Sequence, residues 1–341
     1  MSSTIFISGK QYDISNFDHP GNEVIYEYEG RDATDVFNAF HPKSAYYALN
    51  KLPKLNGKLK VDDKFVENEF ELDIRSLHYQ LLKNGNYKAN VSYYVFVLFR
   101  NLALLVAAFY VPHYISCCLL GLFMVQMGWL CHDILHNQLF KDRFHADTYG
   151  GLLLGCLCQG FSGSWWKVKH NTHHASPNVE DHDPDIDTAP LLAWSASLLK
   201  KSLASYPAFF KIWLKYQHLL FFPLLMIART SWYLQSIMAS VNKRQFPELF
   251  FLGLHWSLKI WFSLTHGGLA HFIVMEAIAS FMLAIVFSLN HNPLPTIQMD
   301  AVKMGFYEHQ VRASRNYSGG YLIDYISGGL SYQIEHHVFI S

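Results

Sequence analysis

The sequence is poor in charge and has no excess of either sign. Only 16% of its 341 residues are charged, whereas soluble domains average about 25%. Lysine plus arginine and aspartate plus glutamate number 27 each, so no net positive field favours a nucleic-acid partner. With 51% hydrophobic residues, this composition argues against a disordered chain and against an ordinary soluble domain.

Cysteine is also scarce, and no two of the five cysteines are spaced as Cys-x-x-Cys. All lie in or beside apolar stretches, which is typical of buried small side chains and not of a disulfide framework. The first residues carry neither the basic segment nor the long apolar run of a cleaved signal peptide. We therefore expect internal segments to direct membrane insertion.

Polar and apolar residues are unevenly distributed. Residues 1–90 are polar and acidic, whereas from Val91 onward long apolar stretches alternate with histidine-rich polar ones. We expect a small soluble module at residues 1–62, a linker at 63–90 and a membrane domain at 91–341. In the module, the short runs Ile5-Phe-Ile7 and Tyr12-Asp-Ile14 predict strands on either side of Gly9.

The linker has the periodicity of a helix. Phe70, Ile74, Leu77 and Leu81 within residues 65–82 are spaced at 0, 4, 7 and 11, which places them on one helical face. This predicts an amphipathic helix that packs on protein or lies at the membrane surface.

Four apolar stretches are candidates for membrane spans: residues 91–111, 114–130, 249–264 and 269–289. The third is the weakest because it contains His255 and Lys259. Residues 217–240 are also apolar, but Pro223 and Arg229 interrupt them, and we expect this segment to lie in the membrane interface.

The distribution of basic residues predicts the orientation of the spans. The two short turns between paired spans contain no lysine or arginine, whereas residues 131–247 contain eleven. The positive-inside rule therefore places residues 131–247 in the cytosol. Because two spans separate each polar region from the next, residues 1–90 and 290–341 are expected on the same side.

Histidines cluster at helical spacings in three places. The clusters are His132-Asp-Ile-Leu-His136, His170-Asn-Thr-His173-His174 and Gln333-Ile-Glu-His336-His337. Spacings of three and four residues place side chains on one face of a helix. Since each cluster follows a span on the cytosolic side, we expect the three to converge.

The ligand chemistry of these clusters favours two metal ions. Neutral imidazole suits iron, copper, zinc and nickel, and seven imidazoles exceed the four positions of one tetrahedral zinc site. Iron suits oxygen chemistry best. His291, which ends the fourth span, is a further candidate ligand, and Asn290 is placed to hold a metal-bound water.

Carboxylates also lie beside the clusters. Metal-bound imidazoles usually donate their second N–H to a carboxylate or carbonyl. We expect this role for some members of the set, and for the run 181–187 a solvated loop is the equal alternative. The set comprises Asp133, Asp181, Asp183, Asp185, Asp187 and Glu335.

Two further histidines stand in the N-terminal module. Phe17-Asp-His19-Pro-Gly21 and Phe40-His41-Pro42 separate them by 22 residues. Imidazoles on opposite faces of one haem give a six-coordinate iron that passes single electrons. The expected apolar walls are Phe17, Val36, Phe37 and Phe40, and the acidic residues around them suit a basic redox partner.

The haem module and the histidine clusters of the membrane domain are expected to act in one reaction. Attack on an unactivated C–H bond with oxygen needs iron and two supplied electrons, which a fused haem carrier can deliver. A metal site where the spans meet the cytosolic face predicts a lipid substrate.

With these motifs the sequence resembles the cytochrome b5-fused front-end fatty-acyl desaturases, from about residue 5 to residue 339. The haem motif His-Pro-Gly-Gly of that family is present as His19-Pro20-Gly21-Asn22, with asparagine in place of the last glycine. The three histidine boxes match the three clusters, and glutamine at the first place of the third box, Gln333, is typical of the front-end enzymes.

The resemblance implies an α+β cytochrome b5-like haem domain followed by an all-α, multi-pass desaturase domain of about four spans, with cytosolic histidine-box helices. It implies O2-dependent insertion of a cis double bond near the carboxyl end of a polyunsaturated acyl chain, at position 6 or 5. The implied cofactors are haem b, held by His19 and His41, and two iron ions. The expected iron ligands are His132, His136, His170, His173, His174, His291, Gln333, His336 and His337.

It further implies electrons from NADH-cytochrome b5 reductase, an acyl substrate on CoA or on a phospholipid, and the endoplasmic reticulum membrane. Members of the family continue well beyond the third box, whereas this sequence stops at Ser341. We therefore expect it to lack a C-terminal part. The alternatives are a sphingoid-base desaturase, a membrane hydroxylase, or an inactive form that only carries electrons on its haem.

Overall fold

A computed structural model describes residues 3–19, 21–41, 44–57, 68–298 and 304–340. Near the N-terminus, three strands form an antiparallel sheet in the order β1, β2, β3. The strands are β1 Thr4–Ile7, β2 Lys10–Asp13 and β3 Lys54–Leu55. Gly9, whose φ is +72°, makes the turn between β1 and β2. Both predicted strands are confirmed, with bounds shifted by one or two residues.

The rest of the module is helical. It contains a 3-10 helix at Asn22–Tyr28, α1 at Thr34–Phe40 and α2 at Ala45–Leu49. Apolar side chains from the sheet and from α2 form its core: Ile5, Ile7, Tyr12, Ile14 and Leu49. The module is thus α+β, as expected.

The remainder of the described chain is helical. The linker region and membrane domain contain α3 Glu69–Asn84, α4 Val91–Ala108, α5 His113–Leu135, α6 Arg143–His145, a π-helix at Ala146–Gln159, α7 Gly163–Ala175, α8 Ala196–Ser205, α9 Ala208–Lys215, α10 Gln217–Leu225, α11 Ala228–Asn242, α12 Phe246–His266, α13 Gly268–Asn290, α14 Phe306–Ala313, α15 Gly320–Ser327 and α16 Gln333–Val338.

Among the described residues, three helices are long and apolar enough to cross a membrane: α4, α5 and α13. The weakest expected span lies in α12, which has the length but not the apolar composition. Segment 217–240 is divided between α10 and α11, with the break at Met226. Helix α5 is central and packs against α4, α13 and the π-helix. Of the cysteines, Cys118 is exposed on α5, contrary to the expectation of burial.

A buried ion network joins the helices of the membrane domain. Glu276 on α13 lies 3.0 Å from Lys259 Nζ on α12 and 3.4 Å from Arg229 Nε on α11. Tyr233, one turn beyond Arg229, contacts the same three side chains. A charge in the bilayer is tolerated when it is paired, which explains how α12 accommodates its lysine.

The linker helix α3 is capped at both ends. Asn68 Oδ1 accepts from the Glu71 N–H (3.1 Å), and Gly85 ends the helix in the left-handed conformation. Its protein-facing side centres on Glu71, which is fully buried and accepts from the backbone N–H groups of Tyr307 and Glu308.

The predicted apolar face of this helix is not the one that packs on protein. Phe70 and Leu77 remain exposed, and only Ile74 of the periodic set joins an apolar cluster. The predicted helix itself is confirmed, since α3 spans Glu69–Asn84. Residues 65–67 of the predicted segment lie outside the described residues.

The N-terminal module packs on the membrane domain. The Arg75 guanidinium on α3 donates two hydrogen bonds of 2.7 Å to the Asp35 carboxylate on α1, which is strong charge-assisted geometry. An apolar cluster between the two parts contains Ala39 of α1, Phe306 of α14 and Val338 of α16. The helix that carries the third histidine cluster therefore shares an apolar cluster with the module.

Candidate functional site

Helix ends bring the three histidine clusters together in one buried site. Helix α5 carries His132 and His136 follows its last residue, α7 carries the second cluster, and α16 carries the third. His291 follows the last residue of α13. The convergence expected from the sequence is thus present.

The start of α7 explains how the second cluster reaches this place. Ser162 caps the helix by accepting from the Trp165 N–H at 3.0 Å. A Cβ added at Gly163 would lie 2.5 Å from the Cα of Gly151 in the π-helix. Only a glycine pair lets the two backbones approach this closely. This close packing directs α7 toward the C-terminal end of α5.

The ligand nitrogens form two groups, in each of which all atoms lie within 4.8 Å of one another. One group is His132, His136, His170 and His336, and the other is His173, His291 and His337. His174 lies between them. Its Nε2 is 3.0 Å from His170 Nε2, and its ring stacks on His337 with centroids 4.1 Å apart.

The buried imidazoles have the protonation state and the spare nitrogen atoms that metal ions require. Burial holds the pKa values of His136, His174, His336 and His337 well below the usual range, so these rings are neutral. Each has one buried nitrogen with no hydrogen-bond partner among the described residues. Such an orphaned nitrogen is costly unless a ligand satisfies it, so the donor set fits two metal ions.

Gln333 lies at the second group. Its Nε2 is 2.9 Å from His291 Nε2, and its Oε1 accepts from Asn290 Nδ2 at 2.8 Å. Asn290 therefore orients the glutamine side chain. Burial lowers the pKa of His291 to about 3. Its Nδ1 is 2.7 Å from the Ala313 carbonyl, so Nδ1 carries the proton and the lone pair is on Nε2, which faces Gln333 and His173.

A second layer of side chains orients the ligands. Both Asp183 oxygens lie 3.0 Å from His173 Nδ1. Burial lowers the pKa of His173, but the carboxylates of Asp183 and Asp185 more than offset this and leave the pKa raised. Gln310 accepts from His337 Nδ1 at 2.8 Å and donates to the His174 carbonyl at 3.0 Å. No spacing pattern marks Gln310 in the sequence.

The acidic run 181–187 combines both of its expected roles. Asp183 is 1% exposed and serves the metal site, whereas Asp181 is exposed and pairs with Lys201 at the surface. Burial alone distinguishes the two, and the sequence pattern does not show it.

In the N-terminal module the two expected haem ligands face each other. The ring centroids of His19 and His41 are 5.8 Å apart, close to the separation that imidazoles on opposite faces of one iron need. Phe17 and Phe37 border the rings, with Phe37 stacked on His41 at 4.7 Å. Phe40 is not a haem wall as expected, because its ring lies against His174, with centroids 6.2 Å apart.

An apolar cavity of about 690 Å³ opens from the metal site. Three histidines of the metal site line it: His132, His170 and His291. The rest of the lining includes the aromatic side chains of Trp165, Trp232 and Phe287 and the aliphatic side chains of Leu224, Leu225, Leu234 and Met238. The cavity is therefore large enough and apolar enough to receive a hydrocarbon chain next to the metals.

Comparison with known proteins identifies both halves. The family model described as "Fatty acid desaturase" matches residues 109–341, and "Cytochrome b5-like Heme/Steroid binding domain" matches residues 2–86. The chain belongs to the fatty acid desaturase family. Because its haem module is fused to the membrane domain, it is a cytochrome b5-fused desaturase, as the resemblance implied.

Curated relatives share both parts of this fused desaturase. A Delta(8)-fatty-acid desaturase of Euglena gracilis is 34% identical over 99% of this chain and 84% of its own length. Delta(6)-fatty-acid desaturase fat-3 of Caenorhabditis elegans is 36% identical over 94% and 82%, and Delta(5) fatty acid desaturase fat-4 of the same organism is 29% identical over 94% and 81%. The relatives are front-end desaturases.

The expectations for enzyme class and cofactors are confirmed. The desaturase is an oxidoreductase. Its two families use haem and two iron ions, and the histidines described above fit these cofactors. The division at residues 1–62, 63–90 and 91–341 and the individual ligand roles stay predictions.

The Asp183–His173 contact gives a testable expectation for the desaturase. Asp183→Asn keeps the side-chain size but removes the charge that orients His173, and such changes lower metal affinity by about 10–100-fold. Iron content after purification at limiting iron should fall accordingly. Asp181→Asn is the matched control, because Asp181 is exposed and contacts only a surface lysine in the described structure. Equal iron content in both variants would contradict an orienting role.

Proposed function

We propose that this desaturase inserts a cis double bond between an existing double bond and the carboxyl end of a polyunsaturated acyl chain, at position 6 or 5. The observation that carries the proposal is the apolar cavity that three of the clustered histidines line. The relatives, which are named as Δ8, Δ6 and Δ5 enzymes, support the front-end position.

In this proposal eight histidines and Gln333 hold two iron ions. His132, His136, His170 and His336 hold one, and His173, His291 and His337 hold the other, with Gln333 beside it. His174 contacts both groups. When bound, the irons supply O2 activation for removing hydrogen from an unactivated C–H bond.

The protein's own residues position the acyl chain and exclude water from the site. The indole of Trp166 stacks on His170, with centroids 4.3 Å apart, at the point where the cavity meets the metals. Trp165 and Phe287 continue the apolar wall. These rings would hold an acyl chain against the site while Asp183 and Gln310 keep the ligands oriented.

The proposal also includes the redox partner, the substrate form and the cellular location. His19 and His41 bind the haem that delivers electrons from NADH-cytochrome b5 reductase. The metal and haem sites face the cytosol at the endoplasmic reticulum membrane. The acyl group arrives on CoA or on a phospholipid, and the three membrane-length helices α4, α5 and α13 support an acyl substrate taken up beside the bilayer.

Feeding of yeast tests the proposal. Cells expressing the chain receive linoleic, eicosadienoic or dihomo-γ-linolenic acid, and gas chromatography with mass spectrometry locates any new double bond. A product from linoleic acid indicates position 6, one from eicosadienoic acid position 8, and one from dihomo-γ-linolenic acid position 5. Analysis of long-chain bases in the same cells reports sphingoid-base desaturation.

His336→Ala is the inactive control. A new double bond at position 6 or 5 that is present in the wild type and absent from this variant supports the proposal. A product at position 8 only, or no product from any fatty acid, rejects it. The iron content separates the enzyme from a mere electron carrier, since a di-iron centre plus one haem gives three irons per haem and a carrier gives one.

A further inference from the structure

We propose that Phe40 is the contact through which electrons pass from the haem module to the metal centre. The inference rests on the proposed function, since it concerns the two cofactor sites named there. It goes beyond that function because it assigns a role to a residue that is a ligand of neither cofactor.

The position of Phe40 in the chain links the two sites. It is the last residue of α1, and the expected haem ligand His41 follows it directly. Its ring meets His174 edge to face, at an interplanar angle of 82° and a centroid distance of 6.2 Å. The backbone between two consecutive residues and one ring contact therefore connect His41 to an imidazole of the metal site.

Several contacts around Phe40 hold this geometry. Tyr28 Oη donates to the carbonyl of Ala175, the residue after His174, at 3.0 Å. Glu27 pairs with His182, and Asp35 on α1 pairs with Arg75. The module is therefore held against the membrane domain by these polar contacts and by the apolar cluster that includes Phe40 itself.

The chemistry of the side chain suits this role. Phenylalanine carries no proton or charge and excludes water, so an electron can pass without rearranging a polar side chain. Each transfer oxidises the haem iron from ferrous to ferric and reduces the metal centre by one electron. Two transfers, two protons, O2 and the two hydrogens removed from the acyl chain balance as one double bond and two waters.

Phe40→Leu tests the assignment in the full-length chain. Leucine keeps an apolar side chain at the contact but removes the ring that reaches His174. The reduced, iron-loaded protein in nanodiscs is mixed with O2 and linoleoyl-CoA, and haem reoxidation is followed by its absorbance. We expect reoxidation to slow several-fold while haem content, haem potential and iron content stay unchanged and the melting temperature falls no further than in Phe306→Leu.

Phe306→Leu is the matched control, because Phe306 belongs to the same apolar cluster and has no ring contact with a histidine in the described structure. His170→Ala, which lacks the metal site, gives the background rate of haem oxidation by O2. Restoration of the rate by Phe40→Trp would support an aromatic contact.

Equal rates for Phe40→Leu and the wild type, or equal slowing by Phe306→Leu, would overturn the assignment. Failure of the proposed function is distinguishable, since it appears as absence of a desaturated product in the wild type. In the iron-loaded wild type, haem reoxidation above the His170→Ala background can be measured whether or not a desaturated product forms.

Discussion

Replacement of His170 by alanine should abolish desaturation and strip iron from the membrane domain. His170 has the most central ring of the site, because its Nε2 lies 3.1 Å from that of His132 and 3.0 Å from that of His174. Its loss opens one group of ligands and disturbs the histidine next to the other. We expect product below detection in fed yeast and iron reduced to the single equivalent in the haem.

His218→Ala provides the control for this result. His218 is exposed on α10, outside the clusters, and its replacement should leave iron and product unchanged. Full iron content in His170→Ala would contradict the assignment of the first ligand group, even if activity were lost. The haem spectrum should be the same in all three proteins, because His19 and His41 are untouched.

Replacement of Glu276 by glutamine should strongly destabilise the membrane domain. Arg229, which is 1% exposed, and Lys259, which is 7% exposed, would lose their only described carboxylate partner. Removing one member of a buried ion pair typically costs about 3–5 kcal/mol. Thermal unfolding in detergent should show a clearly lower melting temperature than the wild type.

Two variants make this expectation specific. Arg312→Gln removes one member of the exposed Arg312–Glu308 pair, which should cost only about 0.3–0.5 kcal/mol. The double variant Glu276→Gln with Lys259→Met removes one of the two unpaired cations and should recover part of the loss. A melting temperature for Glu276→Gln equal to that of Arg312→Gln would show that the network does not stabilise the fold.

Local patterns predicted the elements that carry the site. The spacing of the histidines predicted helical clusters, and α5, α7 and α16 contain them. The expected span at residues 114–130 and His132 of the first histidine cluster lie on one helix, because α5 continues to Leu135 and no glycine or proline after Leu130 interrupts it. A single rigid helix thus joins the membrane to His132, which hydropathy alone does not reveal.

Other features depend on tertiary contacts and lay beyond sequence reasoning. Glu71 was not expected inside the protein, yet the N–H groups at the start of α14 compensate its burial. The sequence around Gln310 contains no motif that predicts a role for it. Its contacts with His337 and with the His174 carbonyl depend on the tertiary packing of α14 near α7. The cavity likewise arises between helices that are distant in sequence.

The docked module has a consequence for the supply of reducing equivalents. A haem with two axial imidazoles holds one electron at a time, whereas each double bond needs two. The Asp35–Arg75 pair and the apolar cluster hold the module against the membrane domain. In the proposed function the haem would therefore be reduced again, without leaving this position, between the first and the second electron transfer.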